Sequence, residues 1–403
     1  MSQLQAGARG FQRAMARLPF GAVEEEHGLK SAACAGRKGL GPPARPPTQV
    51  AQTRAHPDAR MSRLQLMKTN LSIAAAASLI LFSFALPGDQ PRFAVKEKTK
   101  LSKVFEDKTT LHSTSFSMTV DGNDVGEGMP EMKLTFEEST HVEVTDEYGA
   151  LKDGRPTKLT RSYDKLNGTT LQKLEVPDGA DVEGDGNEKK DRSSELEGKT
   201  IVFKLNEDGD GYKADFQDGK GDADLLKRLE EDMDLRGFLP SGEVTADKSW
   251  DIDAKVFNSV LGAPGGDLKI KVKDDKDDDS DLEQQFEDNA KGKGKGTYKG
   301  KRDVDGHKCA VIALEAELKT EAKDDKSGEG GHRGKREVSL EFNVEGELLW
   351  DLEEGHFRKC TLSSKVKMTM KDQLSMDAED GKHELEQTAD FEGEAEFTAD
   401  LGG

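Results

Sequence analysis

Between Val338 and Leu352 the chain alternates strictly: Val338, Leu340, Phe342, Val344, Gly346, Leu348, Trp350 and Leu352 share one parity, and the residues between them are mostly Glu, Ser, Asn and Asp. Side chains of a β-strand point to opposite faces with period two, so this segment must be a long strand with one face buried and one in water. An α-helix would spread the same residues all around its surface. The rule recurs at Ala310, Ile312, Leu314, Ala316 and Leu318. It recurs again at Cys360, Leu362, Val366, Met368 and Met370 after a Glu354-Gly355 turn, and at Leu385, Ala389, Phe391, Ala395, Phe397 and Leu401. The last hundred residues therefore read as an antiparallel meander.

The preceding part shows the same habit more weakly. Phe116, Met118 and Val120 precede a turn at Asp121-Gly122-Asn123, and Met132, Leu134, Phe136, Val142 and Val144 follow it. Ile201–Leu205 and Tyr212–Phe216 form a further hairpin. Two helices are expected. One covers residues 222–236, where Leu225, Leu226, Leu229, Met233 and Leu235 fall on one face, and it stops near Gly237 and Pro240. The other covers Ala254 to Leu261. Pro177 to Glu197, Lys273 to Gly296 and Glu321 to Lys335 are charged and poor in apolar residues, so they are expected to be long disordered loops. The fold class is thus α+β, predominantly antiparallel β: a curved sheet or half-barrel with one or two packed helices. Residues 86–240 form a first β-rich half and residues 241–403 a second, although a single curved sheet fits the same pattern.

Charge divides the chain elsewhere. Its 403 residues carry 59 Lys and Arg against 79 Asp and Glu, a formal charge of -20. Residues 1–85 hold 11 basic and 4 acidic residues, leaving 48 against 75 in the rest. Residues 1–60 are basic, contain Pro42, Pro43, Pro46 and Pro47, show no periodicity, and are read as a disordered or misassigned upstream region. Residues 61–85 are read as a signal peptide: Arg63 and Lys68 precede the apolar run Leu71 to Ala85, and small Ser83 and Ala85 sit three and one residues before the cleavage point. Fifteen helical residues reach about 23 Å, short of the hydrocarbon core, so no transmembrane span is expected after cleavage. The start is expected at Met61 or Met67, and the mature protein in the periplasm or outside the cell. The acidic balance disfavours nucleic acid as a partner, since phosphate contacts need clustered Lys and Arg.

No motif for catalysis emerges. Gly198-Lys199-Thr200 lacks the glycine of a phosphate loop, because Ser193 stands there, and it leads into a strand. Gly292, Gly294 and Gly296 alternate with lysine and open no helix. No Gly-x-Ser-x-Gly elbow is present. His112, His141, His307, His332, His356 and His383 show no metal-ligand spacing and read as scattered surface residues. No catalytic, cofactor-binding or metal residue is assigned, and the chain is expected not to be an enzyme. Asn206, Asp208, Asp210 and Gly211 mimic the start of a calcium loop, but Gln217 replaces the bidentate glutamate that such a loop needs, so a hairpin turn is the better reading. The acidic run Asp274 to Asp281 is expected to be a solvated loop. Cys309 and Cys360 have opposite parities, which points their thiols to different faces and argues against a disulfide. Trp250 and Trp350 are expected in the core.

The stretch Phe238-Leu239-Pro240, Val244 and Lys248-Ser249-Trp250, with Gly346 to Phe357 downstream, resembles a group of exported bacterial β-proteins with no assigned activity. More distantly, the sheet with a few helices is similar to the half-barrel of periplasmic lipoprotein-localisation carriers, which implies an acyl-binding hollow; no site residue carries over. The expectation is a non-catalytic cell-envelope protein that binds an amphiphile or lipid-like ligand on a concave sheet. The alternative is an acidic structural or interaction protein of the envelope with weak calcium association, its partner another envelope protein.

Overall fold

The computed structural model describes residues 90–125, 133–175, 187–261, 264–272, 285, 286, 288–327, 333–378 and 381–402. Residues 1–60, residues 61–85 that are read as a signal peptide, the Asp274 to Asp281 run and His332 lie outside these residues. The strands are β1 (Lys100–Val120), β2 (Asn123–Asp124), β3 (Lys133–Tyr148), β4 (Leu151–Lys152), β5 (Arg155–Pro156), β6 (Lys158–Glu175), β7 (Asn187–Ser193), β8 (Thr200–Leu205) and β9 (Tyr212–Phe216). They continue with β10 (Ser249–Ile252), β11 (Lys271–Val272), β12 (Lys291–Val304), β13 (His307–Ser327), β14 (Arg333–Asp351), β15 (Phe357–Ala378) and β16 (Gly381–Leu401). A short helix, α1, covers Ala254–Asn258.

Fourteen strands form one antiparallel sheet in the order β10-β12-β13-β14-β15-β16-β1-β3-β6-β7-β11, with β2 on β1 and the β8–β9 hairpin on β6. The sheet is open. The meander from β12 to β16 is as the alternation requires, and Leu314, Gly346, Leu362 and Phe397 stand side by side across four strands. The last strand then pairs with the first, Phe105 opposite Ala399 and Leu111 opposite Gly393. Residues 86–240 and 241–403 therefore contribute to a single sheet. Strands of 21 residues, such as β1, β13 and β16, run for roughly 70 Å at the rise of a β-strand.

The apolar residues of one parity along the middle of the strands are buried in a single core. The sheet curves around them: Phe136 on β3 and Phe391 on β16 lie on either side of β1, yet their ring centroids are 5.8 Å apart, and Phe105 and Phe397 stack at 6.4 Å. The hollow is filled by the chain itself. The described residues between 222 and 290 pack into it, with Phe238 against Phe257 at 5.0 Å, Trp250 Nε1 donating to the Phe238 carbonyl, and Thr320 Oγ1 donating to the Phe286 carbonyl. One end is stopped by residues 90–95, where Trp350 Nε1 donates to the Arg92 carbonyl and Phe93 packs on Tyr148.

Several local expectations are corrected. Residues 222–236 do not form an α-helix; only the 3-10 turn Ala223–Leu226 is present, and Arg228 and Leu235 take positive φ of 66° and 58°. Aspartate side chains compete with the helical ladder, Asp222 Oδ1 accepting from Asp224 N and Asp232 Oδ1 from Asp234 N. The second helix forms over its first part only, as α1. The three expected loops are largely strand where described: Asn187–Ser193 is β7, Lys291 to Gly296 begins β12, and β13 and β14 extend into residues 321–327 and 333–335. In β12 the lysines face water while Gly294 and Gly296 face the core. A Cβ at Gly296 would stand 2.6 Å from the Trp250 ring, and one at Gly294 would strike the Phe257 ring and lie 2.8 Å from the Ile252 carbonyl. The glycines are what allow these rings to lie on the sheet.

Gly294→Val is therefore expected to lower unfolding stability by about 1–3 kcal/mol through overpacking, whereas Lys295→Val on the opposite face changes it by less than about 0.5 kcal/mol, as read by urea unfolding.

Candidate functional site

Where the crossing segment meets β1, β3 and β6, the core contains charge. Lys103 Nζ lies 2.7 Å from Asp146 Oδ2 and 2.6 Å from Asp234 Oδ1, and all three side chains are fully buried. Arg161 clamps Asp146 with Nε at 2.7 Å and Nη2 at 2.8 Å, and it donates to the carbonyls of Glu230 and Glu231. Tyr148 Oη donates to Asp234 at 2.5 Å. Arg236 pairs with Glu231 and with Asp232, and its guanidinium lies over the Phe93 ring. Strand parity explains the convergence: Lys103, Asp146, Tyr148 and Arg161 all occupy inward positions, and Asp234 comes to them on the irregular segment.

Burial alone would raise the Asp146 carboxyl, but Arg161 and Lys103 together hold it below the usual range. Glu231 has the opposite balance. Burial, with help from Asp232 and Asp234, pushes it up to about 7 against the pull of Arg236. Near β7, burial and the neighbouring Glu138 raise Asp107 well above its ordinary value despite Arg192. The Lys103–Asp146–Asp234 cluster is closed to solvent, so no substrate reaches it; it fastens residues 230–236 to the sheet.

The outer face is charged and paired. Lys367 meets Glu392 at 2.7 Å and Arg302 meets Glu347 at 2.6 Å. Across β13 to β16 lies a groove of about 550 Å³, bordered by Glu315, Glu345 and Glu396 with Thr361, Ser363 and Thr398. Lys295 stands 3.8 Å from Glu315, whereas Glu345 and Glu396 have no cation within ion-pair distance among the described residues.

A third group sits at one end of the sheet. His307 opens β13, Asp351 closes β14, and the Asp351–His356 turn carries Glu354. Asp351 Oδ1 accepts from the backbone of Glu353 and Glu354 at 2.9 Å each, and Asp351 N donates to the His356 carbonyl. Gly355 takes φ of 74° to close the turn. His307 Nδ1 is 2.8 Å from Asp351 Oδ2, and His356 Nε2 is 3.1 Å from Glu354 Oε2. One ligand atom from each of His307, Asp351 and Glu354 lies within 4.8 Å of the others.

This arrangement corrects the reading of the histidines as scattered surface residues. His356 is buried at 2% exposure, and His307 joins two carboxylates, although His112, His141 and His383 are on the outer surface. Sequence distance hid the group, because β13 and β14 must pair before His307 meets Asp351. Cys309 and Cys360 are both free and buried, Cys309 in a small outer cluster with Val311 and Leu349 and Cys360 in the main core. Burial and Asp351 push the Cys309 thiol up to about 11. The Asn206 to Gly211 stretch forms the β8–β9 turn, with Arg155 Nη1 donating to the Gly209 carbonyl, and Gln217 N donates to the Thr200 carbonyl. Gly198-Lys199-Thr200 leads directly into β8.

No known family profile matches the chain, and no curated protein matches it. Among solved structures, an outer membrane channel from Pseudomonas putida F1 aligns over 77% of this chain and 97% of its own length at 9% identity, with a TM-score of 0.19. OpdK from Pseudomonas aeruginosa with vanillate aligns over 74% and 98% at 8% identity, with a TM-score of 0.10. Likenesses this weak assign neither fold nor function to the chain. No helix among the described residues is long and apolar enough to cross a membrane.

Removing one partner of a buried pair strands the others. Lys103→Met is expected to cost about 3–5 kcal/mol in urea unfolding, with partial recovery in the double variant Lys103→Met/Asp234→Leu. For Glu231 the folded carboxyl ionises later than the unfolded one. The folded state therefore binds more protons between the two pKa values, and stability falls as pH rises from about 4.5 to about 7. Glu231→Gln is expected to remove about 3 kcal/mol of that decline, measured as the difference between variant and parent across the window.

Proposed function

We propose that this chain is a non-catalytic, exported protein of the cell envelope that works as an acidic interaction protein, its contact surface being the outer groove across β13 to β16. The carrying observation is the convergence there of Glu315, Glu345 and Glu396 on one exposed groove, two of them without an ion pair among the described residues. Carboxylates held on a rigid sheet attract cationic groups over a Debye length, and the flanking hydroxyls of Thr361, Ser363 and Thr398 add hydrogen-bonding capacity. The partner class is a lysine- or arginine-rich segment of another envelope protein. Export rests on the leader-like residues 61–85.

The reading of an amphiphile on the concave face has less support. That face is occupied by described residues of the 222–290 segment, among them Phe238, Phe257 and Phe286, and inward residues such as Phe105, Leu348 and Phe391 are buried. Phe105 packs on Phe357 and Phe397, and Phe391 on Phe136, so an acyl chain would have to part contacts the chain already makes.

A fluorescent lysine-rich peptide tests the proposal by anisotropy. Binding that weakens steeply as salt rises from about 0.05 to about 0.3 M is expected, with a further loss of at least about tenfold in Glu315→Gln/Glu345→Gln/Glu396→Gln. The control Glu317→Gln/Glu341→Gln/Glu392→Gln removes the same charge elsewhere on the face. Equal losses in the two triple variants would reduce the interaction to net charge and defeat the assignment. A lipid-sized mass retained by the protein in native mass spectrometry would instead favour the amphiphile reading.

A further inference from the structure

We infer that His307, Asp351 and Glu354 form a binding site for a divalent transition-metal ion of the zinc type, which clips the Asp351–His356 turn to the start of β13. One imidazole nitrogen and two carboxylates are a donor set suited to borderline ions, and such ions hold their ligands at about 2.0–2.2 Å, so the ligand atoms of a loaded site stand about 3–4 Å apart and the 2.8 Å between His307 Nδ1 and Asp351 Oδ2 opens slightly when the ion enters. The three ligand atoms here lie within 4.8 Å of one another.

The decisive detail is Asp351 Oδ2. The residue is 1% exposed, and this oxygen accepts no hydrogen bond even though His307 Nδ1 is only 2.8 Å away. Nitrogen and oxygen lie side by side instead of N–H pointing at O. Two potential donor atoms held this close outside hydrogen-bond geometry leave Asp351 Oδ2 open to a third group. The other oxygen, Oδ1, is fully used by the amides of Glu353 and Glu354, which fixes the direction in which Oδ2 faces. Such outer hydrogen bonds orient ligands before the ion arrives.

Glu354 Oε2 is held by His356 Nε2 at 3.1 Å, and His356 is itself fixed through Nδ1, 2.8 Å from the Phe357 carbonyl. Arg358 is the competing cation, with Nε 3.9 Å from Asp351 Oδ2 and Nη1 3.8 Å from Glu354 Oε2. At those distances it is hydrogen-bonded to neither carboxylate, and two carboxylates against one guanidinium leave the site net negative. The side chains of His307 and Glu354 are 31% and 49% exposed, which gives an ion a path from solvent and leaves room for water to complete its shell.

Zinc titration of the full exported chain by calorimetry, with the melting temperature followed in parallel, tests the site. One saturable Zn²⁺ per chain and a rise in melting temperature are expected. His307→Ala and Glu354→Gln should each weaken binding at least tenfold while leaving the metal-free melting temperature close to that of the parent. Co²⁺ should give a visible absorption band in the parent that is absent in His307→Ala. Failure of the parent to bind Zn²⁺ saturably, or binding that survives unchanged in both variants, would overturn the site; the latter result would place the ion on other histidines or on acidic loops. The peptide binding proposed for the outer groove is independent of this outcome, since none of the three ligands borders it.

Discussion

A sheet that is apolar on one face only cannot stand alone, and in this chain that face is made of strands up to roughly 70 Å long. Such a surface needs a second layer or a curl over its own side chains. The chain takes the curl, leaves the sheet open, and fills it with residues 90–98 and the described residues between 222 and 290. The filler cannot be regular. It follows the concavity and pairs with the sheet only at its two edges, through the short strands β10 and β11, and elsewhere it proceeds by turns, including the 3-10 turns Ala223–Leu226 and Arg236–Phe238 and the short helix α1.

The irregular filler also explains why charge is buried. Aliphatic contacts alone would let such a segment slide along the hollow, since hydrophobic burial has no direction. Hydrogen-bonded ion pairs do have direction. Asp234 reaches Lys103 and Tyr148, and the carbonyls of Glu230 and Glu231 reach Arg161, so one register of segment on sheet satisfies all of them. The desolvation of Lys103, Asp146 and Arg161 works against stability, while their mutual contacts specify position. Glu231, its carboxyl pushed up by burial, shows that the compensation is incomplete at the edge of the cluster.

What the sequence conveys follows from the same physics. The alternation from Val338 to Trp350 is legible because a one-sided strand leaves a period-two record in every residue. The hairpin Ile201–Leu205 with Tyr212–Phe216 is legible for the same reason. Lys291 to Gly296 is misleading, since a lysine–glycine alternation has the composition of a disordered loop although its glycines are core positions under Phe257 and Trp250. Asp222 to Leu235 misleads in the other direction. Its apolar spacing fits a helix, but Leu225, Leu226 and Leu229 are only partly buried and its aspartates serve turns and the buried cluster. The group around His307 and Asp351 is a product of strand register, and no local spacing reports a contact made only when β13 pairs with β14.

The direction in which the polarity runs also limits where such a sheet can work. A barrel that spans a bilayer turns its apolar band outward, with strands of about 9–11 residues, and each Lys or Arg placed on that outer face at mid-bilayer costs about 2–4 kcal/mol. Here the outward residues of β13 to β16 include Glu317, Lys319, Glu341, Lys365, Lys367, Glu392 and Glu394, many of them joined in cross-strand ion pairs such as Lys367–Glu392. Those pairs are comfortable only in water. The apolar parity faces inward into the core that includes Phe238, Phe257 and Phe286, and so the face that meets water is the charged one, where Glu345 and Glu396 stand on a rigid frame without cations of their own among the described residues.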